Sequence, residues 1–495
     1  MISEALQKAR DFEAQYGPHI PDKERPAFHI TPTIGWMNDP NGFSVYKGEY
    51  HLFYQYHPYS CEWGPMHWGH VKTKDFIRWE RLPAALAPDQ EKYDTNGCFS
   101  GGALELPDGR QLLMYTGVRR VRSEDGALQE IQTQCVAIGD GLDYEKYDGN
   151  PVLAAGDLPE GGSALDFRDP KIWRDADGSY LAAIGNRTAD TSGAVLLYRS
   201  ADGLHWTLER EIDACRNQYG KMWECPDYFP LDGRQVLIVS PQEMTPIGLE
   251  FHAGNGTVCL IGDESEDGRF VRQNVQAIDY GIDFYAPQTL LTPDGRRVMI
   301  GWMQNWNTVG GKPRQCRWFG QMSIPRELTV KNGRLYQLPV RELDNYRGPC
   351  VSHHNIPVSG EVNLPGIQGR VLDMTVTVRP IGHDSYRWFR IHLAKDGQHD
   401  TVVRYRPEEG TVKIDRTRSG LPWDIVHTRS FFVGNREGEI KLRIVMDRFS
   451  LEVFVNDGEQ AASAVIYTEQ SADAITFEAG GSALMDVEKY DLLFD

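Results

Sequence analysis

Five turn-forming dipeptides, each followed by an apolar run, recur through the first two thirds of the chain. Their glycines lie 55 to 69 residues apart, and each dipeptide predicts a two-residue hairpin turn between two strands. The five are Lys47-Gly48, Asp108-Gly109, Asp177-Gly178, Asp232-Gly233 and Asp294-Gly295. After four of the hairpins the sequence indicates a further strand, turn and strand. The chain therefore contains five units of roughly 60 residues with about four strands each.

Five units of this kind predict a five-bladed β-propeller, because a small sheet of four strands buries its faces only against neighbouring sheets. A long β-sandwich is the alternative. The 495 residues include 49 Gly, 22 Tyr and 12 Trp, a composition that favours short strands and turns over helices. The expected fold class is all-β.

The repeat places three acidic residues in register. Nine residues before each turn glycine stand Asp39, Ser100, Asp169, Glu224 and Ala286. The first strand of each propeller blade lines the central channel, so these positions should form a ring around the axis. Two carboxylates ~6 Å apart repel by roughly 3 kcal/mol at an effective dielectric constant of about 20, so stability alone would not select such a ring. It would provide the electrostatic arrangement of a two-carboxylate glycosidase.

The three acids lie in WMNDPNG (36–42), FRDP (167–170) and WECP (223–226). Together with Phe53-Tyr54-Gln55, Trp63-Gly64 and Phe99-Ser100-Gly101, these motifs closely resemble glycoside hydrolase family 32, the β-fructofuranosidases. The resemblance covers essentially the whole chain. It implies a five-bladed propeller followed by a β-sandwich, and retaining hydrolysis of β-fructofuranosides.

The resemblance also implies a role for each acid. Asp39 matches the nucleophile, Glu224 the general acid/base, and Asp169 a transition-state stabiliser that hydrogen-bonds fructose hydroxyls. Cleavage of a ketose acetal passes through an oxocarbenium-like state, for which one ionised and one protonated carboxyl group are suited.

Further residues are expected to bind substrate. Asn38, Gln55, Trp63, Phe99 and Ser100 match positions that shape the fructose subsite in the family, and the loop after the second strand should carry Trp63 to the rim. Arg168 either binds a sugar oxygen or forms a structural ion pair with Asp169. Trp302 either stacks on a sugar face or packs within its blade. Gly101-Gly102 depart from the family, which often has a second small hydroxyl residue there.

The hairpin series stops after Glu327, and the segments that follow alternate apolar and polar residues with period two, as in DMTVTVRP (373–380). They predict a sandwich of two antiparallel sheets. The expected domains are a helical extension over 1–30, the propeller over 31–345 and the sandwich over 346–495. The sandwich is expected to pack against the propeller or form a dimer contact, and sugar binding by it stays open.

Charge and cysteine usage limit the partners. The net charge of -18 argues against nucleic acid and anionic membranes, so the expected partner is a small sugar, with the chain a monomer or homodimer. Eight scattered cysteines form no metal motif, so we expect reduced thiols, no metal and no cofactor. Without a visible secretory signal, the expected location is the cytoplasm.

The sequence thus predicts a β-fructofuranosidase acting on sucrose, its 6-phosphate or short fructo-oligosaccharides. Arg119, Arg120 and Arg122 follow the second hairpin, and they either receive a 6-phosphate or form a solvated basic loop. A fructosyltransferase shares every catalytic residue and is one alternative function. A non-catalytic sugar-binding propeller is the other.

Overall fold

The computed structural model describes residues 2–123, 125–266, 268–313, 316–382, 386–421 and 426–494. The chain begins with helix α1 (Glu4–Tyr16), whose N-cap Ser3 accepts a hydrogen bond from the backbone N–H of Leu6 at 3.2 Å. Two short 3-10 helices follow, over Gly17–His19 and Asp22–Glu24. None of the helices in these ranges is both long and apolar enough to cross a membrane.

Five antiparallel sheets then form the blades of a propeller, which confirms the predicted fold. Blade 1 contains β1 (Gly35–Tyr46), β2 (Glu49–His57), β3 (His67–Thr73) and β4 (Glu80–Leu86). Blade 2 contains β5 (Gly97–Glu105), β6 (Gln111–Arg122), β7 (Leu128–Gly139) and β8 (Tyr144–Lys146). Blade 3 contains β9 (Phe167–Arg174), β10 (Tyr180–Arg187), β11 (Gly193–Ser200) and β12 (Trp206–Ala214).

Blade 4 contains β13 (Met222–Leu231), β14 (Arg234–Gln242), β15 (Val258–Glu264) and β16 (Phe270–Ala277). Blade 5 contains β17 (Tyr285–Leu291) and β18 (Arg297–Trp302) and, after the short strand β19 (Trp318–Phe319), β20 (Arg326–Lys331) and β21 (Arg334–Pro339). Strand β19 leaves blade 5 and pairs in parallel with β1 of blade 1. This pairing joins the last blade to the first and closes the ring.

The five predicted turns all connect the first and second strands of their blades, but the predicted length is wrong for three of them. Lys47-Gly48 and Asp232-Gly233 are two-residue turns in which both residues have positive φ. The other three turns have three residues (107–109, 176–178 and 293–295) and end on a glycine with positive φ. Two of them begin with Pro107 and Pro293, whose rings fix φ near -65°, the value that the first central residue of a type I turn adopts.

Each inner strand, the first strand of its blade, is interrupted by a β-bulge at the same depth. The register shifts lie at Met37/Pro40, Phe99/Gly101, Arg168/Lys171, Glu224/Asp227 and Tyr285/Gln288. A bulge leaves one residue out of the ladder and redirects its side chain. It also tolerates proline, which lacks the N–H that a regular ladder needs. The prolines that follow the ring positions in four blades lie within these bulges.

Neighbouring inner strands approach so closely that one position has no room for a side chain. A Cβ atom on Gly102 of β5 would lie 2.8 Å from the backbone nitrogen of Ile172 and 3.0 Å from the carbonyl oxygen of Pro170, both on β9. Across the channel, the Gln288 side chain donates to the Gly101 carbonyl at 2.9 Å. Packing therefore accounts for glycine at the place where this chain departs from the family pattern.

A 3-10 helix (Arg341–Tyr346) connects the propeller to the sandwich. The sandwich strands are β22 (Arg347–Val362), β23 (Leu372–Pro380), β24 (Phe389–Lys395), β25 (Asp400–Arg406), β26 (Thr411–Arg418), β27 (Thr428–Phe432), β28 (Ile440–Asp447), β29 (Ser450–Val455), β30 (Gln460–Val465) and β31 (Ala474–Leu492). The first half of β31 pairs with β24 and its second half with β23. The two layers are therefore continuous through β31, and their inward side chains share one apolar core.

A buried ion cluster joins the two domains. Arg326 of β20 is fully buried and donates to Glu452 of β29 at 2.5 Å, to Ser463 of β30 at 2.6 Å and to Asp279 at 3.0 Å. His29, from the segment before the propeller, bonds the other carboxylate oxygen of Glu452 at 3.0 Å. Each buried charge thus faces a partner of opposite sign.

We expect Arg326→Leu to lower the free energy of unfolding by about 3–5 kcal/mol, because Glu452 and Asp279 would remain buried without their main counter-charge. Urea denaturation measures this loss. The matched control is Arg341→Leu, which removes an ion pair between the Arg341 guanidinium and the Glu327 carboxylate. The nitrogen–oxygen distance in this pair is 2.7 Å, and the Arg341 side chain is 65% exposed. That change should cost less than about 1 kcal/mol. Equal losses in the two variants would contradict a special role for the buried cluster.

Candidate active site

A polar cavity of about 470 Å³ opens at the bulges of blades 1 to 4. It is lined by Asn38, Asp39, Gln55, Trp63, Phe99, Ser100, Glu130, Gln132, Leu165, Asp166, Arg168, Asp169, Glu224, Gln242, Asn255 and Trp306. These residues come from the strands of blades 1 to 4 and from loops, among them the loop after the second strand of blade 5 that carries Trp306. The three ring acids, which are far apart in sequence, therefore share one cavity.

Asp39 lies in the bulge of β1 and is 9% exposed. One carboxylate oxygen accepts from the Asn38 amide at 3.1 Å, and Asn38 is itself held by the Trp36 indole N–H at 2.7 Å. The other oxygen accepts from the Ser100 hydroxyl at 3.0 Å and lies 3.6 Å from the Cys225 sulfur. Residues of blades 1, 2 and 4 therefore fix the orientation of this carboxylate.

Asp169 occupies the equivalent bulge in β9 with φ of 67°, in the left-handed region. Its carboxylate accepts from the backbone N–H of Cys225 at 3.0 Å, and its own N–H donates to the Thr116 hydroxyl at 2.9 Å. The Cys225 sulfur lies 3.6 Å from oxygens of both Asp169 and Asp39. These two oxygens are therefore separated by at most twice that distance, a span that one sugar ring can bridge.

Glu224 of β13 is held from two sides. The Arg168 guanidinium donates to one carboxylate oxygen at 3.1 Å, and the Tyr285 hydroxyl donates to the other at 2.6 Å. The same guanidinium also donates to Asp166 at 3.0 Å and to Gln132 at 3.3 Å. The bonding capacity of Arg168 is therefore largely used by protein groups.

The site raises the pKa of two of its acids. Burial, together with the nearby charge of Glu224, raises the pKa of Asp39 to about 6. Burial raises the pKa of Asp169 by more than the Arg168 guanidinium lowers it, and the charges of Glu224 and Asp39 add to the rise. Above pH 6 Asp39 is mainly ionised and can act as a nucleophile.

The predicted substrate-binding residues occupy different depths. Asn38, Gln55, Phe99, Ser100 and Arg168 lie on the floor and walls of the cavity, and Trp63 lies on its rim with 41% of its surface exposed. Each of them lines the same cavity as the three acids.

Trp302 does not face the cavity. It is completely buried, and its ring packs beside Trp306 with centroids 5.0 Å apart and beside Trp36 at 6.1 Å. Because β18 is the second strand of blade 5, Trp302 lies beneath the loop that carries Trp306. The predicted stacking of Trp302 on a sugar is therefore wrong, and Trp306 presents its ring to the cavity instead.

Several cavity residues were not predicted from the sequence. Gln132, Gln242 and Asn255 come from outer strands or loops, whose paths the repeat does not specify. Tyr285 could have been found, because it directly precedes Ala286, the fifth ring position. Its hydroxyl reaches Glu224 from that position.

The cavity is strongly acidic. Asp39, Glu130, Asp166, Asp169 and Glu224 line it, whereas Arg168 is its one cationic lining residue in the part of the chain that the structure describes. The predicted basic loop compensates for one of these charges. Arg120 is paired with Glu130 at 2.9 Å, and the Arg122 guanidinium bonds the Gly126 carbonyl. Within the described ranges, no group of three or more His, Cys, Asp or Glu residues could hold a metal ion.

Comparison with known proteins relates this cavity to a family. The model for the glycosyl hydrolases family 32 N-terminal domain matches residues 29–339, and that for the family 32 C-terminal domain matches residues 342–491. A raffinose invertase of Escherichia coli is 37% identical over 472 residues, which is 93% of each chain. A sucrose-6-phosphate hydrolase of Escherichia coli is 35% identical over 456 residues, 90% of this chain and 89% of its own.

The fold agrees with solved structures as well. A mutant of the Bombyx mori family 32 β-fructofuranosidase, in complex with sucrose, superposes with a TM-score of 0.83 at 32% identity and covers 99% of each chain. The two family models together span nearly the whole sequence. The relatives and the superposition point to the same family. The chain therefore belongs to glycoside hydrolase family 32.

Proposed function

We propose that this protein is a retaining β-fructofuranosidase in which Asp39 is the nucleophile, Glu224 the general acid/base and Asp169 the transition-state stabiliser. Hydrolysis of fructofuranosides is the activity of its relatives and of the family. The observation that carries the assignment of roles is the convergence of the three acids on one cavity. Each acid has a different set of contacts, and a different chemical role fits each set.

In the first step, the Asp39 carboxylate attacks C2 of the fructosyl unit. The C2–oxygen bond to the leaving sugar breaks, and Glu224 donates a proton to that oxygen. The product is a fructosyl ester on Asp39. The Asn38 amide and the Ser100 hydroxyl support this step because they already hold both oxygens of the nucleophile in place.

In the second step, Glu224 accepts a proton from water as the water oxygen attacks C2. The ester bond breaks, fructose leaves and Asp39 regains its charge. Glu224 must therefore alternate between its protonated and ionised forms. Arg168 and Tyr285 orient it in both, since the Tyr285 hydroxyl can donate to the carboxylate or accept from the acid.

The charge of the cavity favours a neutral leaving group. The five cavity acids outnumber the arginines that pair with them, because Arg120 pairs with Glu130, Arg168 with Asp166 and Glu224, and Arg187 with Asp166. A phosphate group on the leaving sugar would enter a region of negative potential. We therefore propose sucrose and related uncharged fructosides as the preferred substrates, rather than sucrose 6-phosphate.

The two alternative functions are not favoured. The similar proteins described above include an invertase and a hydrolase, which supports water as the acceptor over a sugar. The presence of all three acids in one cavity speaks against a non-catalytic role. For location we propose the cytoplasm, since all eight cysteines are free thiols. The monomer or homodimer stays a prediction.

Asp39→Asn should lower kcat for sucrose by at least about 10³-fold while leaving the fold intact, because the amide cannot form the fructosyl ester. Glucose release measures the loss, and a thermal melt checks folding. The control is Asp294→Asn, an aspartate at the exposed turn of blade 5, which should keep full activity. Substantial turnover by a folded Asp39→Asn protein would refute the role of nucleophile.

Glu224→Gln should lower turnover of sucrose by about 10²–10⁴-fold, since the leaving glucose needs a proton. A nitrophenyl β-fructofuranoside has a leaving group that departs without being protonated. Stopped-flow measurement should therefore show a burst of nitrophenol followed by slow turnover, because the ester forms readily but lacks a base for its hydrolysis. Equal losses for both substrates, without a burst, would count against an acid/base role.

We expect kcat/KM for sucrose to exceed that for sucrose 6-phosphate by about tenfold or more at low ionic strength, because the phosphate carries a charge of about -1.5 to -2 at pH 7. Added salt should reduce the ratio of the two kcat/KM values, because it screens the repulsion between the phosphate and the cavity acids. Glu130→Gln should also reduce this ratio, because the substitution removes one negative charge and releases Arg120 from its ion pair. The control is Glu209→Gln, which breaks a pair with Arg199 outside the cavity and should not change the ratio. Equal or faster hydrolysis of the glycosidic bond of sucrose 6-phosphate would overturn this preference.

A further inference from the structure

Two cysteines meet at the seam where the propeller ring closes. Cys61 lies in the loop between β2 and β3 of blade 1, and Cys316 lies in the segment after blade 5's β18, two residues before β19. Both side chains are half-buried. The Cys61 thiol donates to the backbone carbonyl of Cys316, with its sulfur 3.1 Å from the carbonyl oxygen.

The surroundings of this pair favour a thiolate on one of the two sulfurs. The neighbouring Cys61 side chain, followed by the charge of Lys312, lowers the pKa of the Cys316 thiol although burial opposes the shift. Lys312 is anchored at the same place, because its ammonium donates to the Cys61 carbonyl at 3.1 Å and pairs with Glu62. A partly exposed thiol of low pKa beside a second thiol is the arrangement in which disulfides form readily.

The seam itself is held by few backbone contacts. Strand β19 has two residues, and its register with β1 consists of the pairs Gly35–Trp318 and Trp36–Phe319. In contrast, the strand pairs inside blade 1 extend over as many as seven residue pairs. A covalent bond beside β19 would therefore reinforce the short pairing of β1 with β19 that closes the ring.

The same two loops carry aromatic walls of the cavity. Trp63 lies two residues after Cys61, and Trp306 lies in the segment between β18 and β19 that also contains Cys316. Cys61 and Trp306 both pack against the buried cluster around Trp36 and Phe319. A bond between the two loops would thus fix the rim of the cavity as well as the seam.

We propose that Cys61 and Cys316 form a reversible disulfide under oxidising conditions, which latches blade 5 to blade 1. This proposal is independent of the catalytic roles proposed above. It concerns a covalent modification of the chain and requires no turnover of sugar.

With hydrogen peroxide as oxidant, the reaction has two steps. The Cys316 thiolate attacks one peroxide oxygen, the O–O bond breaks, and the other oxygen leaves as water after protonation, so that Cys316 becomes a sulfenic acid. The Cys61 sulfur then attacks the Cys316 sulfur, the S–S bond forms and the sulfenic oxygen leaves as a second water. The two thiols lose two electrons in total, and peroxide gains them.

The test is to oxidise the reduced full-length protein with hydrogen peroxide, block the remaining thiols with N-ethylmaleimide and map the cross-links by peptide mass spectrometry. We expect a Cys61–Cys316 peptide that a thiol reductant dissociates. We also expect the melting temperature to rise by several degrees on oxidation, because the bond spans a long loop and restricts the unfolded chain. Protein blocked with N-ethylmaleimide before oxidation should not show the rise.

Single variants provide the controls. Cys61→Ser and Cys316→Ser should each abolish the cross-link and the rise in melting temperature. Cys350→Ser removes an exposed thiol that lies outside the seam and should retain both. A cross-link to a different cysteine, oxidation of Cys316 only to a sulfinic acid, or a rise in melting temperature that persists in Cys61→Ser would each overturn the proposal.

Discussion

The site depends on the convergence of five inner strands on one axis. Each blade is a rotated copy of the others, so equivalent positions of the inner strands arrive at the same depth. The β-bulge at this depth turns the ring side chains out of the regular ladder and admits the prolines next to them. Asp39, Asp169 and Glu224 belong to three different sheets, and the arrangement of the blades around one axis brings them to one cavity.

Convergence has an electrostatic cost, which the surrounding protein offsets only in part. Asp39 and Asp169 are buried beside Glu224, and their pKa values rise accordingly. The Arg168 guanidinium and the backbone N–H of Cys225 oppose the rise at Asp169. Stability comes from elsewhere, in particular from the apolar core of the sandwich and from the paired charges around Arg326.

Closure of the ring and recognition of the sugar share one region of the molecule. The segment that contains β19 joins blade 5 to blade 1, and it also carries Trp306 to the cavity opposite Trp63. Cys61 and Cys316 contact each other at this seam. A change in the seam therefore affects the mechanical closure of the propeller and the shape of the rim together.

The sequence by itself determined the number of blades and the three ring acids, because turn chemistry and the spacing of the repeat are local properties that every copy expresses. It also predicts a change of domain near the end of the hairpin series. The tertiary structure decided which tryptophan faces the cavity, that Arg120 is paired with Glu130, and that Cys61 meets Cys316. The contacts of Trp306 and of Cys316 depend on loop paths that no periodicity encodes, and the cysteines are brought together only when the last blade docks on the first.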